Sequence, residues 1–445
     1  MIKSESELCW LDAKAIADSV VFSCIHQHLS DIEIKVLQAS WAEKTYEDMA
    51  KTYGYSAEYL NKDVGNKLWR KLSIAIGERV TKKNFKEALS RCWSDRCQSE
   101  NTTAICSNLS FPEGAVAPDS PLYIERTGAE FLCYQTVLKP GSLIRIKAPK
   151  LMGKTSLLTR ILHHATHHDY EVVYLDLRSI DRAILTDLDK FLRWLCLIVS
   201  RQLHLENQLP QYWDTDILGS NDNCTAYFED YLLTAIAKPL VLGLDDVDRL
   251  FPYNEIVEDF LGLLRSWHEK GKVAAIWQNL RLVIAHSTEV YIPLDMNQSP
   301  FNAGIPIELK EFNQHQVQQL AQQYELDWTE HQSSQLMQMV GGHPYLVQLA
   351  MYEISVGNTT LPQLLQSAPT EAGIFNHHLR RHLETLYQAP ELAEMFRRVV
   401  LSSEPIELNS MQIYQMHSLG LVKRQDNYVI PSCNLYCEYF SRVLA

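Results

Sequence analysis

The feature that most constrains the fold is a short apolar run, a loop ending in Gly-Lys-Thr and a helical stretch, joined without a break. Residues 143–146 (LIRI) have β-strand character, residues 148–155 read APKLMGKT, and residues 156–168 (SLLTRILHHATHH) have helical spacing. This order is typical of a P-loop, in which backbone N–H groups and a helix N-terminus bind phosphate. The predicted phosphate-binding residues are Ala148, Pro149, Lys150, Leu151, Met152, Gly153, Lys154, Thr155 and Ser156.

Two side chains of this loop have specific expected roles. Lys154 is expected to reach the β- and γ-phosphates of a nucleotide, and Thr155 to place its hydroxyl on Mg²⁺. Ala148 stands where the motif usually has its first glycine, which is tolerable provided that Ala148 does not need a positive φ. Because Gly-Lys-Thr also occurs by chance, the assignment depends on the flanking elements and on an acidic partner downstream.

That acidic partner follows a second apolar run. Residues 239–248 read PLVLGLDDVD, a hydrophobic strand that ends in two adjacent carboxylates, as in a Walker B element. We expect Asp245 to hold the Mg²⁺ water shell and Asp246 to polarise the attacking water, where a glutamate is more common. Aspartate is one methylene shorter, which predicts slow hydrolysis. The alternative is a buried strand followed by a helix-capping aspartate.

Further strands predict the fold class. Residues 171–177 (EVVYLDL) and 281–285 (RLVIA) read as strands, and Asp187 to Leu203 as a helix between them. Alternating strands and helices predict an α/β P-loop NTPase fold, a parallel doubly wound sheet with the nucleotide at the carboxyl ends of its strands. At the end of the last strand, the hydroxyl of Ser287 or Thr288 lies near the γ-phosphate in one interpretation and merely caps a turn in the other.

Residues 31–91 predict short amphipathic helices. Thr45 and Asp48 resemble a capping box, Gly54 is placed to end the helix YEDMAKTY, and Ser56 to cap the next helix. A helix, a glycine turn and a second helix predict a helix-turn-helix that offers its outer face to a partner. That face would include Asn61, Lys62, Asn66, Lys67, Arg70 and Lys71. Duplex DNA is one predicted partner, and a helical adaptor with a solvated charged face is the alternative.

The chain divides into five predicted segments. These are a helical domain at 1–96, a polar linker at 97–121, a P-loop ATPase core at 122–308, a helical lid at 309–365 and a winged-helix domain at 366–445. The last segment shows helices followed by a predicted hairpin at 420–430 and a final helix. With few basic residues beyond Lys423 and Arg424, this winged helix is expected to act as a hinge more than as a DNA-binding module.

Composition limits the classes of function. The net charge is −13 at pH 7, which argues against a surface coated for nucleic acid, although residues 31–90 carry 11 basic and 9 acidic side chains. No apolar run approaches the roughly 18 residues of a membrane span, and the N-terminus lacks the pattern of a signal peptide. The 10 cysteines form no Cys-x-x-Cys pair. We therefore expect a cytoplasmic protein with reduced thiols.

These motifs together resemble a known family. The runs LIRIKAPKLMGKTSLL, YLDLRSIDRAILTDLDKFLRWLC, LVLGLDDVDRLF, GGHPYL and GLVKRQDNYVIPSCNLYCEYF are similar to the cyanobacterial AAA-like domain family of STAND-type signalling ATPases, over about residues 111–444. The run LWRKLSIAIGERVTKKNFKEAL resembles the N-terminal helix-turn-helix of vWA-MoxR-associated proteins.

The resemblance implies an ATP-gated switch that uses Mg²⁺ and assembles in its ATP state. It implies that Tyr123 and Arg126 lie near the adenine, and that His343 and Pro344, from a Gly-x-Pro element, contact the nucleotide from the lid. ATP and ADP are thus the expected ligands, with duplex DNA, partner signalling proteins or a nucleotide-dependent homo-oligomer as further possibilities. The alternatives are an oligomeric ATPase loaded on DNA, as in origin or transposition regulators, and a scaffold that binds nucleotide for structure alone.

Overall fold

The computed structural model describes most of the chain in two compact units. The described residues are 10, 13–14, 16–17, 21, 29–42, 44–76, 78–90, 111–126, 128–214, 216–287 and 302–444. The first unit ends at Ser110 and the second begins at Phe111. Among the described helices, none combines the length and apolar character that crossing a bilayer requires.

The first unit is helical, and its local signals act as predicted. Its described helices include α1 (Asp31–Trp41), α2 (Tyr46–Tyr53), α3 (Ala57–Tyr59), a π-helical stretch (Leu60–Gly65) and α4 (Asn66–Ile76), and residues 85–90 are also helical. The side chains of Thr45 and Asp48 form the capping box of α2, and Gly54 ends it with a φ of 74°. The hydroxyl of Ser56 accepts a hydrogen bond from the backbone N–H of Tyr59. The predicted helix, glycine turn and helix are confirmed.

One residue of the predicted outer face lies elsewhere. The Lys71 ammonium is half-buried and pairs at 2.8 Å with the carboxylate of Glu33, which is itself buried. Its predicted outward position was therefore wrong, because a carboxylate in the helical core needs a cationic partner. Asn61, Lys62, Asn66, Lys67 and Arg70 are exposed, as predicted.

The second unit contains a five-stranded parallel sheet. The strands are β1 (Leu143–Lys147), β2 (Glu171–Asp176), β3 (Leu240–Asp245), β4 (Leu280–His286) and β5 (Ile305–Glu308), in the order β2-β3-β4-β1-β5. Strand β4 lies between β1 and β3, so the P-loop strand and the acidic strand are not neighbours. The first four strands were predicted within one or two residues at each end, and the parallel sheet is confirmed.

Helices cover both faces of this sheet. Helices α5 (Ala129–Val137) and α6 (Lys154–His167) pack on Ile144, Ile146 and Val283. The other face packs on α7 (Leu188–Gln202) and on α11 (Asn254–Lys270), which comes later in the chain. The helices between α7 and β3 are α8 (Leu209–Tyr212), α9 (Ser220–Ala226), a π-helical stretch (Tyr227–Leu232) and α10 (Leu233–Ala235), and α11 (Asn254–Lys270) follows β3. Alternate strand residues thus serve two cores, as a doubly wound sheet requires.

The C-terminal part is helical with a small antiparallel sheet. Its helices are α12 (Gln314–Gln323), α13 (Glu330–Val340), α14 (Pro344–Ser355), α15 (Leu361–Ser367), α16 (Asn376–Gln388), α17 (Pro390–Leu401), α18 (Ser410–Ser418) and α19 (Asn434–Val443). Strands β6 (Ile406–Glu407), β7 (Val422–Gln425) and β8 (Tyr428–Pro431) pair in the order β6-β8-β7. The predicted hairpin is present, and β6 is an added strand.

The predicted linker is shorter at its C-terminal end. Residues 111–121 belong to the second unit, where the backbone N–H of Val116 donates to the Ser156 hydroxyl at 2.9 Å and Arg160 donates to the carbonyl of Pro118. The sequence of this segment has no periodicity, and periodicity reports regular elements but not irregular chain that packs on them. Its N-terminal part, 97–110, lies outside the described residues.

A glycine before β5 is expected to be required for the sheet. Gly304 has a φ of 67°, and a Cβ there would collide with the Leu143 carbonyl of β1. We expect Gly304→Ala to lower the free energy of unfolding by about 2–4 kcal/mol, from the strained φ and the backbone clash together. Differential scanning calorimetry would show this as a lower midpoint.

The matched control is Gly262→Ala in helix α11. Gly262 has ordinary helical φ, and no atom lies within 4 Å of its added Cβ. Alanine is the better helix former by about 1 kcal/mol, so the control is expected to leave the midpoint unchanged or to raise it. Equal midpoints for the two variants would contradict the prediction.

Candidate functional site

The loop between β1 and α6 has the backbone of a phosphate-binding nest. Gly153 has a φ of 93° and Leu151 a φ of 63°, whereas Ala148 does not adopt a positive φ. Ala148 is buried at the end of β1, with 1% of its surface exposed. The condition under which alanine can replace the first glycine is therefore met, and the left-handed position falls on Leu151 instead.

Lys154 lies folded over this loop. Its side chain is 7% exposed, and its ammonium donates hydrogen bonds of 3.1 Å to the carbonyls of Ala148 and Pro149. Thr155 and Ser156 follow in the first turn of α6, where backbone N–H groups and the helix dipole favour an anion. The loop thus brings a cation and a helix N-terminus to the same point.

Asp245, at the end of β3, is the most enclosed group of the site. It is 0% exposed, and its Oδ2 accepts hydrogen bonds from the Thr155 hydroxyl at 2.7 Å and the Tyr174 hydroxyl at 3.0 Å. Its Oδ1 accepts the backbone N–H of Asp246 at 3.0 Å. Sequence reasoning paired Thr155 with Asp245 but missed Tyr174, whose only signal was a hydroxyl between the apolar residues Val173 and Leu175 of β2.

Asp246 is strained and ion-paired. Its φ is 51°, and its carboxylate lies 2.8 Å from the guanidinium of Arg178, which also binds Asp176 at 3.0 Å. Burial and the charge of Asp245 raise the pKa of Asp246 to about 6, against the opposing effect of Arg178. Arg178 was not predicted, because it lies in a short 3₁₀ turn after β2 rather than in a motif.

Ser287 lies at the end of β4, with 1% of its surface exposed. Its backbone N–H donates to Asp248 at 2.7 Å, which ties the end of β4 to the turn after β3. Its hydroxyl is buried with no hydrogen-bond partner among the described residues. Thr288, the alternative candidate, lies outside the described residues.

A cavity of about 360 Å³ opens beside the loop. Among the described residues of its lining, Arg126, Lys150, Lys154, Arg178 and Arg381 are cationic, and Asp246 is the only carboxylate. The lining also contains apolar and aromatic groups, namely Pro112, Val116, Leu122, Tyr123, Ile124, Phe312, Pro344 and Tyr345. A ligand that combines a polyanion with a flat apolar group fits this mixed lining.

Tyr123 and Arg126 both line the cavity and share one partner. The Tyr123 hydroxyl and the Arg126 backbone N–H both donate to Glu130, at 2.8 and 2.9 Å. The Arg126 guanidinium donates to the Met152 carbonyl at 2.6 Å and lies 5.0 Å from the centre of the Phe312 ring. Arg126 thus lines the cavity and also binds the backbone of the phosphate loop at Met152.

Not every predicted residue reaches the cavity. Pro344 lines it, but the neighbouring His343 does not, because its ring is buried against His378 at 5.3 Å. Burial lowers the pKa of His343 to about 4. Ala148, Pro149 and Met152 are also absent from the lining, and Ala148 and Met152 belong to the core beneath the loop.

The structure adds a residue from the C-terminal part of the chain. Arg381, on α16, lines the cavity although it lies more than two hundred residues after the P-loop. Lys150 and Arg178, from the central sheet region, share that lining. Sequence reasoning had no signal for Arg381, since exposed arginines on amphipathic helices are common.

One solved structure with a TM-score above 0.5 shares the fold, and two others are more distantly similar. A Walker-type ATPase of Pyrococcus abyssi is 13% identical over 72% of this chain and 96% of its own, with a TM-score of 0.52. The ORC2 protein of Aeropyrum pernix is 14% identical, covering 77% of this chain and 97% of its own, with a TM-score of 0.44. A STAND protein of Pyrococcus horikoshii with a tetratricopeptide repeat sensor is 18% identical, covering 75% of this chain and 44% of its own, with a TM-score of 0.34.

Family models match both units. Residues 10–92 match the N-terminal helix-turn-helix of vWA-MoxR-associated proteins, and residues 111–442 match the AAA-like domain. No curated protein sequence matches the chain. Since the second match covers most of the chain and agrees with its P-loop and sheet order, the protein belongs to the AAA-like domain family.

Proposed function

We propose that this protein is a nucleotide-dependent regulatory switch that binds ATP with Mg²⁺ and hydrolyses it slowly. The observation that supports this most directly is the cavity beside the P-loop, whose described lining carries five cationic side chains and one carboxylate. Such an excess of positive charge suits a triphosphate, and the aromatic residues of the lining suit a base. Tyr123 and Arg126 would lie on the base side, as the family resemblance implies.

The residues present also fit a magnesium ion. Mg²⁺ is usually bound by one or two protein oxygens together with water and substrate phosphates. The Thr155 hydroxyl and the Asp245 carboxylate, joined by a hydrogen bond of 2.7 Å, would hold it. When bound, the ion would neutralise charge that develops on the phosphates.

Hydrolysis would depend on Asp246 and the groups around it. Asp246 would polarise the attacking water, and Ser287 would stand near the γ-phosphate at the end of β4. In the structure Asp246 is paired with Arg178 and is shorter than glutamate. Both features favour slow turnover, which suits a switch better than a motor.

The lid and the C-terminal helices would transmit the nucleotide state. Pro344 of α14 and Arg381 of α16 contribute to the same cavity as the P-loop. In addition, Lys147 of β1 lies 5.7 Å from the ring of Tyr414 on α18. A change in the phosphates would therefore be felt by segments outside the sheet, as expected for an element with two arrangements.

The helical unit would recognise the regulated partner, for which we propose duplex DNA. Asn61, Lys67 and Arg70 are exposed in this unit. An open groove is lined by Asn61, Arg70, Arg79 and Lys82 together with the acidic Glu78. Lys62 is exposed as well but pairs with Glu58 at 2.6 Å. Basic and amide side chains of this kind bind phosphates and base edges.

Loss of Lys154 is expected to weaken nucleotide binding. Because Lys154 is the buried cation of the loop, Lys154→Ala should weaken ATP binding by at least tenfold in isothermal titration calorimetry with Mg²⁺. Lys139→Ala, an exposed lysine of the same unit, is the control and should bind as the parent does. Parent-like affinity in the Lys154 variant would refute the assignment of this site.

A variant at Arg381 tests whether helix α16 takes part in ATP binding. Arg381→Ala removes a cation of the cavity, so we expect ATP affinity to fall about threefold to tenfold. Arg380→Ala is the matched control, because that neighbour pairs with Glu371 and is absent from the lining. Small-angle scattering in ATP and ADP would then test coupling. The prediction fails if the two arginine variants behave alike.

Binding to duplex DNA is expected to depend on the exposed face of the helical unit. Fluorescence anisotropy with a random duplex, in ATP and in ADP across a salt series, should show affinity that falls steeply with salt. Changing Lys67 and Arg70 to alanine should reduce the salt slope by about 2. Lys51→Ala, an exposed lysine of α2, is the control. Absence of binding in either nucleotide would leave a protein partner as the remaining interpretation.

A further inference from the structure

Tyr174 lies outside the recognised motifs, yet its hydroxyl contacts the acidic partner of the P-loop. It donates a hydrogen bond of 3.0 Å to Oδ2 of Asp245, the same oxygen that accepts the Thr155 hydroxyl. We propose that Tyr174 is a positioning residue for the magnesium site, which holds the Asp245 carboxylate in the orientation that the ion requires. This inference rests on the proposed function, since it concerns the same site.

Tyr174 is itself held firmly. It lies in the edge strand β2, where its backbone N–H donates to the Gln202 side chain at 3.0 Å and its carbonyl accepts from it at 2.8 Å. The side-chain amide of α7 thus replaces a missing neighbouring strand. The ring packs against the core beneath the P-loop helix. With its backbone bonded to Gln202 and its ring packed on that core, the hydroxyl is directed to Asp245.

Asp245 needs such donors because it is completely buried. An ionised carboxylate without water is stable only when hydrogen bonds compensate its charge. Among the described residues, the donors to Asp245 are the backbone N–H of Asp246 and two side-chain hydroxyls, those of Thr155 and Tyr174. If Thr155 turns towards the metal, the Tyr174 hydroxyl still donates to Asp245.

Groups that orient a metal-binding carboxylate typically change metal affinity by 10- to 100-fold when removed. Tyr174→Phe deletes the hydroxyl and keeps the ring, so packing is preserved. We expect the Mg²⁺ concentration needed for half-maximal ATP binding to rise about tenfold. ATP binding in EDTA should stay unchanged, because Tyr174 does not line the cavity.

The experiment measures ATP binding by isothermal titration calorimetry at a series of Mg²⁺ concentrations. The midpoint of thermal unfolding is measured separately in EDTA. Tyr170→Phe is the matched control, since its hydroxyl donates to the Leu138 carbonyl at 3.2 Å, away from the site. A second test combines Tyr174→Phe with Asp245→Asn. If Tyr174 acts through Asp245, the tyrosine change should add no further loss of Mg²⁺ dependence in that background.

The outcomes separate the two levels of the proposal. A parent-like Mg²⁺ titration for Tyr174→Phe, while the parent shows clear Mg²⁺ dependence, overturns the role of Tyr174 alone. A tenfold loss that persists additively on Asp245→Asn also overturns it, because the hydroxyl would then act elsewhere. A parent protein that binds no ATP at any Mg²⁺ concentration overturns the proposed function itself.

Discussion

The buried carboxylate of Asp245 is the interaction on which the rest of the site depends. Three elements meet at it, because Thr155 lies in the first turn of α6, Tyr174 lies in β2 and Asp245 ends β3. A fully buried charge tolerates little displacement of its donors. The hydrogen bonds to Asp245 consequently fix the position of the P-loop helix relative to strands β2 and β3.

The cavity follows from that arrangement. The parallel sheet brings the carboxyl ends of its strands to one edge, where the P-loop, Asp246 and Arg178 converge. The C-terminal helices complete the wall with Arg381 and Pro344. A site assembled from such distant segments makes ligand binding sensitive to the arrangement of all of them, which is the physical basis of the proposed switch.

Much of the fold was predictable because its signals are local. The strand before the P-loop, the acidic strand, the capping box at Thr45 and the turn at Gly54 depend on periodicity, capping chemistry and positive φ. The short strands β5 and β6 were missed, since two to four residues cannot establish a period. The packed segment 111–121 was predicted as linker because periodicity does not report irregular chain that packs on other elements.

The amino-acid sequence by itself determined the phosphate loop, its acidic partner and the parallel α/β class, since each depends on residues close together in the chain or on a repeated spacing. Only the tertiary structure decided that Tyr174, Arg178 and Arg381 join the site, that His343 turns away from it, and that Lys71 pairs inward. Those outcomes depend on the direction in which a side chain points and on the residues that it contacts there. Both are set by packing between elements far apart in sequence, which no local pattern records.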